Sequence, residues 1–175
     1  MSFECSVAWH CGASMAGIKP ASLAVCGEGS LGELAAFREQ FLRKGIRTEI
    51  LARKGSRITY LVFREEKLRA HLGEAENAAF LARCGYPDGL EAQLCTLKRR
   101  MRGGRFPHEV GIFLGYPAED VLGYMRDPSA CLLSGAWKVY AEPEKKRALF
   151  ERYRRCSRGI VRRLTGGQKL ADIFR

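Results

Sequence analysis

Residues 106–124 read FPHEVGIFLGYPAEDVLGY, and this stretch decides the predicted fold. The seven residues 110–116 carry no polar side-chain group except one tyrosine hydroxyl, and they lie between Pro107 and Pro117. This pattern is typical of a strand buried on both faces. Proline fits the first turn of a helix, where its missing N–H costs no hydrogen bond. We therefore predict a central strand that leads directly into a helix over 118–125.

The rest of the chain is assigned from hydrophobic periodicity, capping residues and turn residues. Ser30 and Glu33 form the capping-box pattern at the start of one helix. Helices are predicted over 4–17, 31–44, 65–72, 74–84 and 88–102, then from Pro143 to about 165, with a short final element over 170–174. Further strands are predicted over 22–26, 46–53, 57–63 and 137–140, and the second and third of these form a hairpin with its turn at 54–56.

This alternation of strands and helices predicts a mixed α/β fold. We expect a single domain over 1–175, built on a sheet of about five strands with helices on both faces. A long basic helix is expected near the C-terminus.

The composition indicates a basic protein with free thiols. The chain has 175 residues, a net charge of +11 and seven cysteines, with no C-x-x-C pair. It shows neither a signal-peptide pattern nor an apolar stretch near the roughly 20 residues of a membrane span. We therefore expect a cytoplasmic location, reduced cysteines and no membrane span.

Positive charge is concentrated in the last 31 residues. Residues 145–175 hold eleven Lys and Arg against two acids, which is a charge of +9. Four arginines fall on one face of the predicted helix: Arg147, Arg154, Arg158 and Arg162. Such a face attracts nucleic acid or an acidic protein partner. A face that is only solvated is the alternative.

Strand alternation assigns His108 and Glu109 to opposite faces of the predicted central strand. Two glycines flank Phe113 on the face of Glu109, which leaves room for a ligand to approach. A carboxylate there is a candidate base or metal ligand. A structural carboxylate paired with a cation is the alternative.

His10 and Cys11 are the other reactive pair. A thiol beside an imidazole can act as a nucleophile, and histidine with cysteine can hold iron, another metal or haem. Because neighbours on a helix point about 100° apart, the two side chains should not share a pocket. A buried cysteine and a hydrogen-bonded histidine are the alternative. The chain has three histidines, and His71 falls on a polar helix. A site with two or more histidine ligands must therefore bring His10 and His108 together.

Five motifs together resemble a bacterial family known as domain of unknown function 3793. They are HC at 10–11, GIKP at 17–20, FPHEVGIFLGYPAEDVLGY, SGAWKVY at 134–140, and F-x-x-Y-x-x-C at Phe150, Tyr153 and Cys156. The resemblance brings no established activity with it. It implies that the functional residues lie among His10, Cys11, Lys19, His108, Glu109, Tyr116, Trp137, Lys138 and Tyr140.

Three functions stay open from the sequence. The leading hypothesis is a pocket for a small ligand, a metal or haem, accessory to redox or iron chemistry and lined by some of His10, Cys11, His108 and Glu109. The second is a binding module whose basic C-terminal helix holds nucleic acid or an acidic partner. The third is a thiol-dependent enzyme, for which a lowered Cys11 pKa is expected. Whether the protein is an enzyme is not decided by the residues.

Overall fold

A computed structural model describes residues 1–174 of the chain, and within that range it contains nine α-helices and five strands. The helices are α1 (Phe3–Met15), α2 (Leu31–Leu42), α3 (Glu65–Leu72), α4 (Ala75–Arg83), α5 (Leu90–Arg102), α6 (Val110–Phe113), α7 (Ala118–Arg126), α8 (Pro143–Thr165) and α9 (Leu170–Ile173). The strands are β1 (Ala21–Gly27), β2 (Ile46–Lys54), β3 (Arg57–Arg64), β4 (Leu133–Ser134) and β5 (Lys138–Val139). The fold is mixed α/β.

Strand β3 is the centre of a three-stranded antiparallel sheet in the order β1-β3-β2. Ala21 pairs with Phe63, and Ile46 pairs with Arg64 on the other side. The predicted hairpin is confirmed, and Gly55 in its turn has a φ of 55°. Such a φ suits glycine, which has no Cβ to clash with the backbone.

Helices cover both faces of this sheet, as predicted. Ile58, Tyr60 and Val62 of β3 pack in one apolar cluster with side chains of α1, α2, α8 and α9. Leu61 and Phe63 point the other way, into a second cluster with side chains of α3 to α7. Successive strand residues face opposite sides, so a strand that is apolar at every position needs a layer on each face.

The prediction of one sheet of about five strands is wrong. The five strands form two separate antiparallel sheets, and the second contains only β4 and β5. The strand predicted over 137–140 is reduced to Lys138–Val139, which pairs with Leu133–Ser134. The larger error is the central strand, because residues 110–116 do not pair with any strand in the described range.

Residues 110–113 form the short helix α6 instead of a strand. Gly115 has a φ of 82° and its N–H donates to the Ile112 carbonyl, while the Tyr116 N–H donates to the Gly111 carbonyl at 2.8 Å. These two bonds close the helix in a Schellman motif, which favours glycine at this position. Short apolar runs suit a buried helix as well as a buried strand, and the glycine decides between them.

The assignment of His108 and Glu109 to opposite faces of a strand is therefore wrong as well. Both precede α6, and Glu109 is the residue at its N-terminal boundary. The two glycines that flank Phe113 serve packing. A Cβ on Gly111 would lie 2.8 Å from the Tyr116 ring, and one on Gly115 would lie 2.7 Å from Pro20.

The remaining helix predictions are confirmed, including the long basic helix, which is the 23-residue α8. The capping box is an exception, because the Ser30 side chain makes no capping hydrogen bond and Glu28–Ser30 forms a 3-10 turn before α2. None of the helices within residues 1–174 combines the length and the apolar character required to cross a membrane.

Strand β2 is one edge of the larger sheet, and its pairing with β3 is irregular. The register shifts between Ile50 and Ala52, where Leu51 is the extra residue of a β-bulge. Next to the bulge, the Arg38 guanidinium of α2 donates to the Thr48 carbonyl at 3.2 Å. The edge is therefore bent at one point and occupied by a side chain at another.

Substituting Gly115 tests the close approach of Gly115 to Pro20 after α6. Gly115→Ala should destabilise the protein by roughly 2–4 kcal/mol, because it adds a contact with Pro20 to the strain of a positive φ. Gly167→Ala is the matched control: its φ is 91°, but no atom lies within 4 Å of the added Cβ. The control should cost only about 1 kcal/mol. Urea unfolding measures both, and equal losses would contradict the close approach to Pro20.

Candidate functional site

Two pockets take part of their lining from the segment 134–140, with Trp137 and Lys138 in the first and Gly135 and Ala136 in the second. The first, which we term the aromatic cleft, has a volume of about 360 Å³. It is lined by Leu23, Phe106, His108, Val110, Gly111, Leu114, Tyr116, Asp120, Val121, Tyr124, Trp137 and Lys138. Four of the candidate residues from the sequence are thus together: His108, Tyr116, Trp137 and Lys138.

Aromatic rings form the walls of this cleft. Tyr116 and Trp137 are stacked, with ring centroids 4.5 Å apart and planes 24° apart. His108 lies 5.2 Å from the Tyr124 ring, and the Lys138 ammonium lies 6.0 Å from the same ring. The cleft therefore offers ring faces together with an imidazole and an ammonium group.

Asp120 fixes one wall of the cleft. Its buried carboxylate accepts a hydrogen bond from the Trp137 indole at 2.7 Å and another from the Tyr140 backbone N–H at 2.7 Å. The Tyr140 ring lies against Gly123 of α7, where a Cβ would come within 2.3 Å of the ring. Tyr140 and Asp120 thus hold β5 against α7. Tyr140 does not line the cleft, and we assign it this positioning role.

The second pocket, which we term the Lys19 pocket, has a volume of about 390 Å³. It is lined by Trp9, His10, Ala13, Lys19, Ser22, Gly135, Ala136, Phe150, Tyr153, Arg154 and Ser157. Phe150 packs edge-on against Trp137 at 4.5 Å, so these two rings stand between the pockets. The F-x-x-Y-x-x-C motif on α8 supplies Phe150 and Tyr153 to the lining.

The GIKP motif explains how Lys19 is positioned. Gly17 has a φ of 74° and ends α1, and the N–H groups of Ile18 and Lys19 both donate to the Ala13 carbonyl. Pro20 then contacts Gly115 and leads into β1. The backbone of Lys19 is therefore fixed on both sides, which orients its side chain toward the pocket.

Lys19 has no charged partner in the part of the chain that the structure describes. Its ammonium makes neither a salt bridge nor a hydrogen bond within residues 1–174, and its nearest ring is Tyr153, with the centroid 5.9 Å away. Burial lowers the pKa of Lys19 to about 8, because desolvation disfavours the charged form. At neutral pH the side chain is still mainly an ammonium ion, so the pocket holds an uncompensated positive charge.

Ser22 is a second unsatisfied group in the same pocket, and our reading of the sequence missed it. The residue is 1% exposed, and its hydroxyl has no hydrogen-bond partner in the described part of the chain. A buried hydroxyl without a partner costs free energy. The sequence signal for this residue is that Ser22 is the one polar residue in the apolar run 21–25.

Cys11 and His10 lie on different sides of α1, as the helix geometry predicted. Cys11 is fully buried, and burial raises its pKa to about 12. A nucleophilic thiol needs a lowered pKa. The lowered Cys11 pKa that we expect for a thiol-dependent enzyme is therefore wrong. His10 is exposed at the margin of the Lys19 pocket.

Glu109 forms a partly buried ion pair and lines neither of these two pockets; with Arg100 and His108 it lines a third hollow, of about 490 Å³. Its carboxylate accepts from Arg100 at 2.6 Å and from the Tyr86 hydroxyl at 3.2 Å. Burial would raise the pKa of Glu109, but these hydrogen bonds outweigh burial and lower it. Arg100 also donates to the Cys84 carbonyl at 2.6 Å. This geometry corresponds to the structural carboxylate that the sequence left as an alternative.

The arrangement of donors does not favour a metal. Within residues 1–174, no three His, Cys, Asp or Glu side chains come together in a way that could hold an ion. His10 and His108 line different pockets. The third histidine, His71, is hydrogen-bonded to the Ile112 carbonyl at 2.8 Å.

The arginines of α8 differ in how they are paired. Arg147 lies 3.6 Å from Glu144, and Arg154 lies 2.7 Å from Glu151. Arg158 and Arg162 are exposed and have no acidic partner in the part of the chain that the structure describes. Among these four arginines, the charge without an acidic partner in the described range thus lies in the second half of the helix.

Removing the Lys19 charge should stabilise the protein. Lys19→Met is expected to raise the free energy of unfolding at pH 7 by at most on the order of 3 kcal/mol, because no charge is then buried. The free-energy cost of burying the Lys19 ammonium is fully present below pH 8. It disappears between about pH 8 and 10.5, where the unfolded chain binds a proton that the folded chain does not.

Chemical unfolding at several pH values measures this difference. The gain of Lys19→Met over the natural chain should shrink as the pH rises through that window. Lys169→Met, which removes an exposed lysine, is the control and should show neither the gain nor the pH dependence. A Lys19→Met protein that is less stable at pH 7 would contradict an uncompensated charge.

Comparison with known proteins identifies the family but not an activity. A family model described as a protein of unknown function, DUF3793, matches residues 7–174. No curated protein and no solved structure matches the chain. The match covers nearly the whole chain, including both pockets and the motifs that surround them. The chain therefore belongs to the DUF3793 family.

Proposed function

We propose that the protein binds a small molecule that contains a flat, mostly apolar ring, and that the aromatic cleft is its binding site. The observation that carries this proposal is the set of rings around the cleft, namely Tyr116 stacked on Trp137 and Tyr124 facing His108. Binding sites for small molecules are concave and mostly apolar, with a few polar groups that fix orientation. The volume of about 360 Å³ lies in the usual range for such sites.

The rigidity of the walls supports binding of a flat ligand. The hydrogen bond from Trp137 to Asp120 fixes the indole ring before any ligand arrives. A preorganised ring lowers the entropy cost of stacking. His108 and Lys138 supply polar groups at the cleft, and Phe106 stands exposed at its margin. We infer that a ring enters between the aromatic walls and that its polar substituents meet His108 or Lys138.

Tyr124→Ala tests this site with 2-naphthol as a neutral flat probe. The variant removes one ring wall, so affinity should fall about fivefold to tenfold. Binding is measured by quenching of Trp137 fluorescence in a Trp9→Phe background, since the chain has only these two tryptophans. Tyr153→Ala removes a ring from the Lys19 pocket and is the matched control, with unchanged affinity expected. Equal binding by both variants would refute the proposed site.

A second candidate function rests on the basic face of α8. Arg158 and Arg162 are exposed without acidic partners in the described range, which favours contact with nucleic acid or an acidic protein. Arg147 and Arg154 already pair with glutamates and contribute less net charge.

Binding of heparin and of double-stranded DNA tests this second function. Arg158→Glu combined with Arg162→Glu should weaken binding at least tenfold at low salt, and affinity of the natural chain should fall steeply as salt increases. Arg43→Glu combined with Arg99→Glu makes the same change of net charge away from α8 and should have a much smaller effect. If neither polyanion is retained at low salt, α8 is only a solvated face.

A further inference from the structure

The Lys19 pocket contains groups that are satisfied by nothing in the described chain. Lys19 carries a positive charge without a partner, and Ser22 carries a buried hydroxyl without a hydrogen bond. Ser157, also largely buried, adds a second hydroxyl to the lining. No aspartate or glutamate lines this pocket among residues 1–174. A pocket with a cation, hydroxyl groups and no acid is complementary to an anion.

The remaining lining is apolar and aromatic. Trp9, Phe150 and Tyr153 provide rings, and Ala13 and Ala136 provide small apolar surface. Gly135 allows the Phe150 ring to approach, since a Cβ there would lie 2.4 Å from that ring. The body of a bound ligand would therefore be apolar, and its charge would be confined to one end.

Arg154 reaches the same pocket but is already paired with Glu151 at 2.7 Å. His10 lies at its exposed margin. The buried Cys11 thiol remains protonated and offers no negative charge to Lys19. Within residues 1–174 the pocket thus presents one unpaired ammonium, which matches a ligand group with one negative charge.

We propose that the Lys19 pocket binds a small carboxylic acid with an apolar or aromatic body. The carboxylate pairs with the Lys19 ammonium and accepts a hydrogen bond from the Ser22 hydroxyl, while the body packs against Phe150 and Tyr153. This site is separate from the aromatic cleft and does not depend on the function proposed for it. A bound carboxylate gives a partner to both groups, the half-buried Lys19 ammonium and the buried Ser22 hydroxyl.

A matched pair of probes tests the charge requirement. 3-Phenylpropionate and its neutral amide, 3-phenylpropanamide, differ at one end only, and isothermal titration calorimetry at pH 7 measures the affinity of each. The natural chain should bind the acid at least about tenfold more tightly than the amide, as a charge-assisted hydrogen bond requires. Equal affinities, or no binding of the acid, would overturn the proposal.

Variants of the pocket then locate the binding groups. Lys19→Met should abolish the preference for the acid, although the protein remains folded, and Lys169→Met should retain it. Ser22→Ala should weaken binding of the acid about threefold to tenfold. A Lys19→Met protein that still prefers the acid would overturn the assignment, and Ser22→Ala tests it independently. Displacement of the acid by an equal concentration of inorganic phosphate would overturn the choice of a carboxylate.

Discussion

Burial of β3 on both faces is the constraint on which the structure depends. Ile58, Tyr60 and Val62 require apolar cover on one face, and Leu61 and Phe63 require it on the other. A three-stranded sheet cannot supply that cover, so the helices divide into two layers. The two pockets follow from this division, because β1 contributes Leu23 to the cleft on one face and Ser22 to the Lys19 pocket on the other.

Local signals predicted most of the elements but not the central one. Glycines at positive φ end α1 and α4, and Pro143 opens α8, so these boundaries were readable from single residues. The run 110–116 shows neither a helical nor an alternating pattern, since nearly every side chain is apolar. Gly115 decides its conformation, because its positive φ ends α6 after one turn, but a glycine within an apolar run is compatible with a strand as well. Without that central strand, the expected five-stranded sheet does not form.

Most of the candidate residues line pockets, but the sequence did not show that they belong to two different pockets. His108, Tyr116, Trp137 and Lys138 line one pocket, while His10 and Lys19 line another. Glu109 and Cys11 line neither of these pockets. Glu109 is held in an ion pair, and Cys11 is packed in the core. Sequence reasoning could not separate these roles, because they depend on which helix packs on which face. Ser22 was missed for the same reason, since a hydroxyl is unsatisfied only in relation to its neighbours.

The irregular edge at β2 bears on behaviour at high concentration. An unpaired strand edge is a template on which another chain can add its own strand and begin to aggregate. In this protein the bulge at Leu51 interrupts the flat ladder, and the Arg38 guanidinium already occupies the Thr48 carbonyl. The extra residue and the cation thus make the β2 edge a poor template for strand addition by a second molecule.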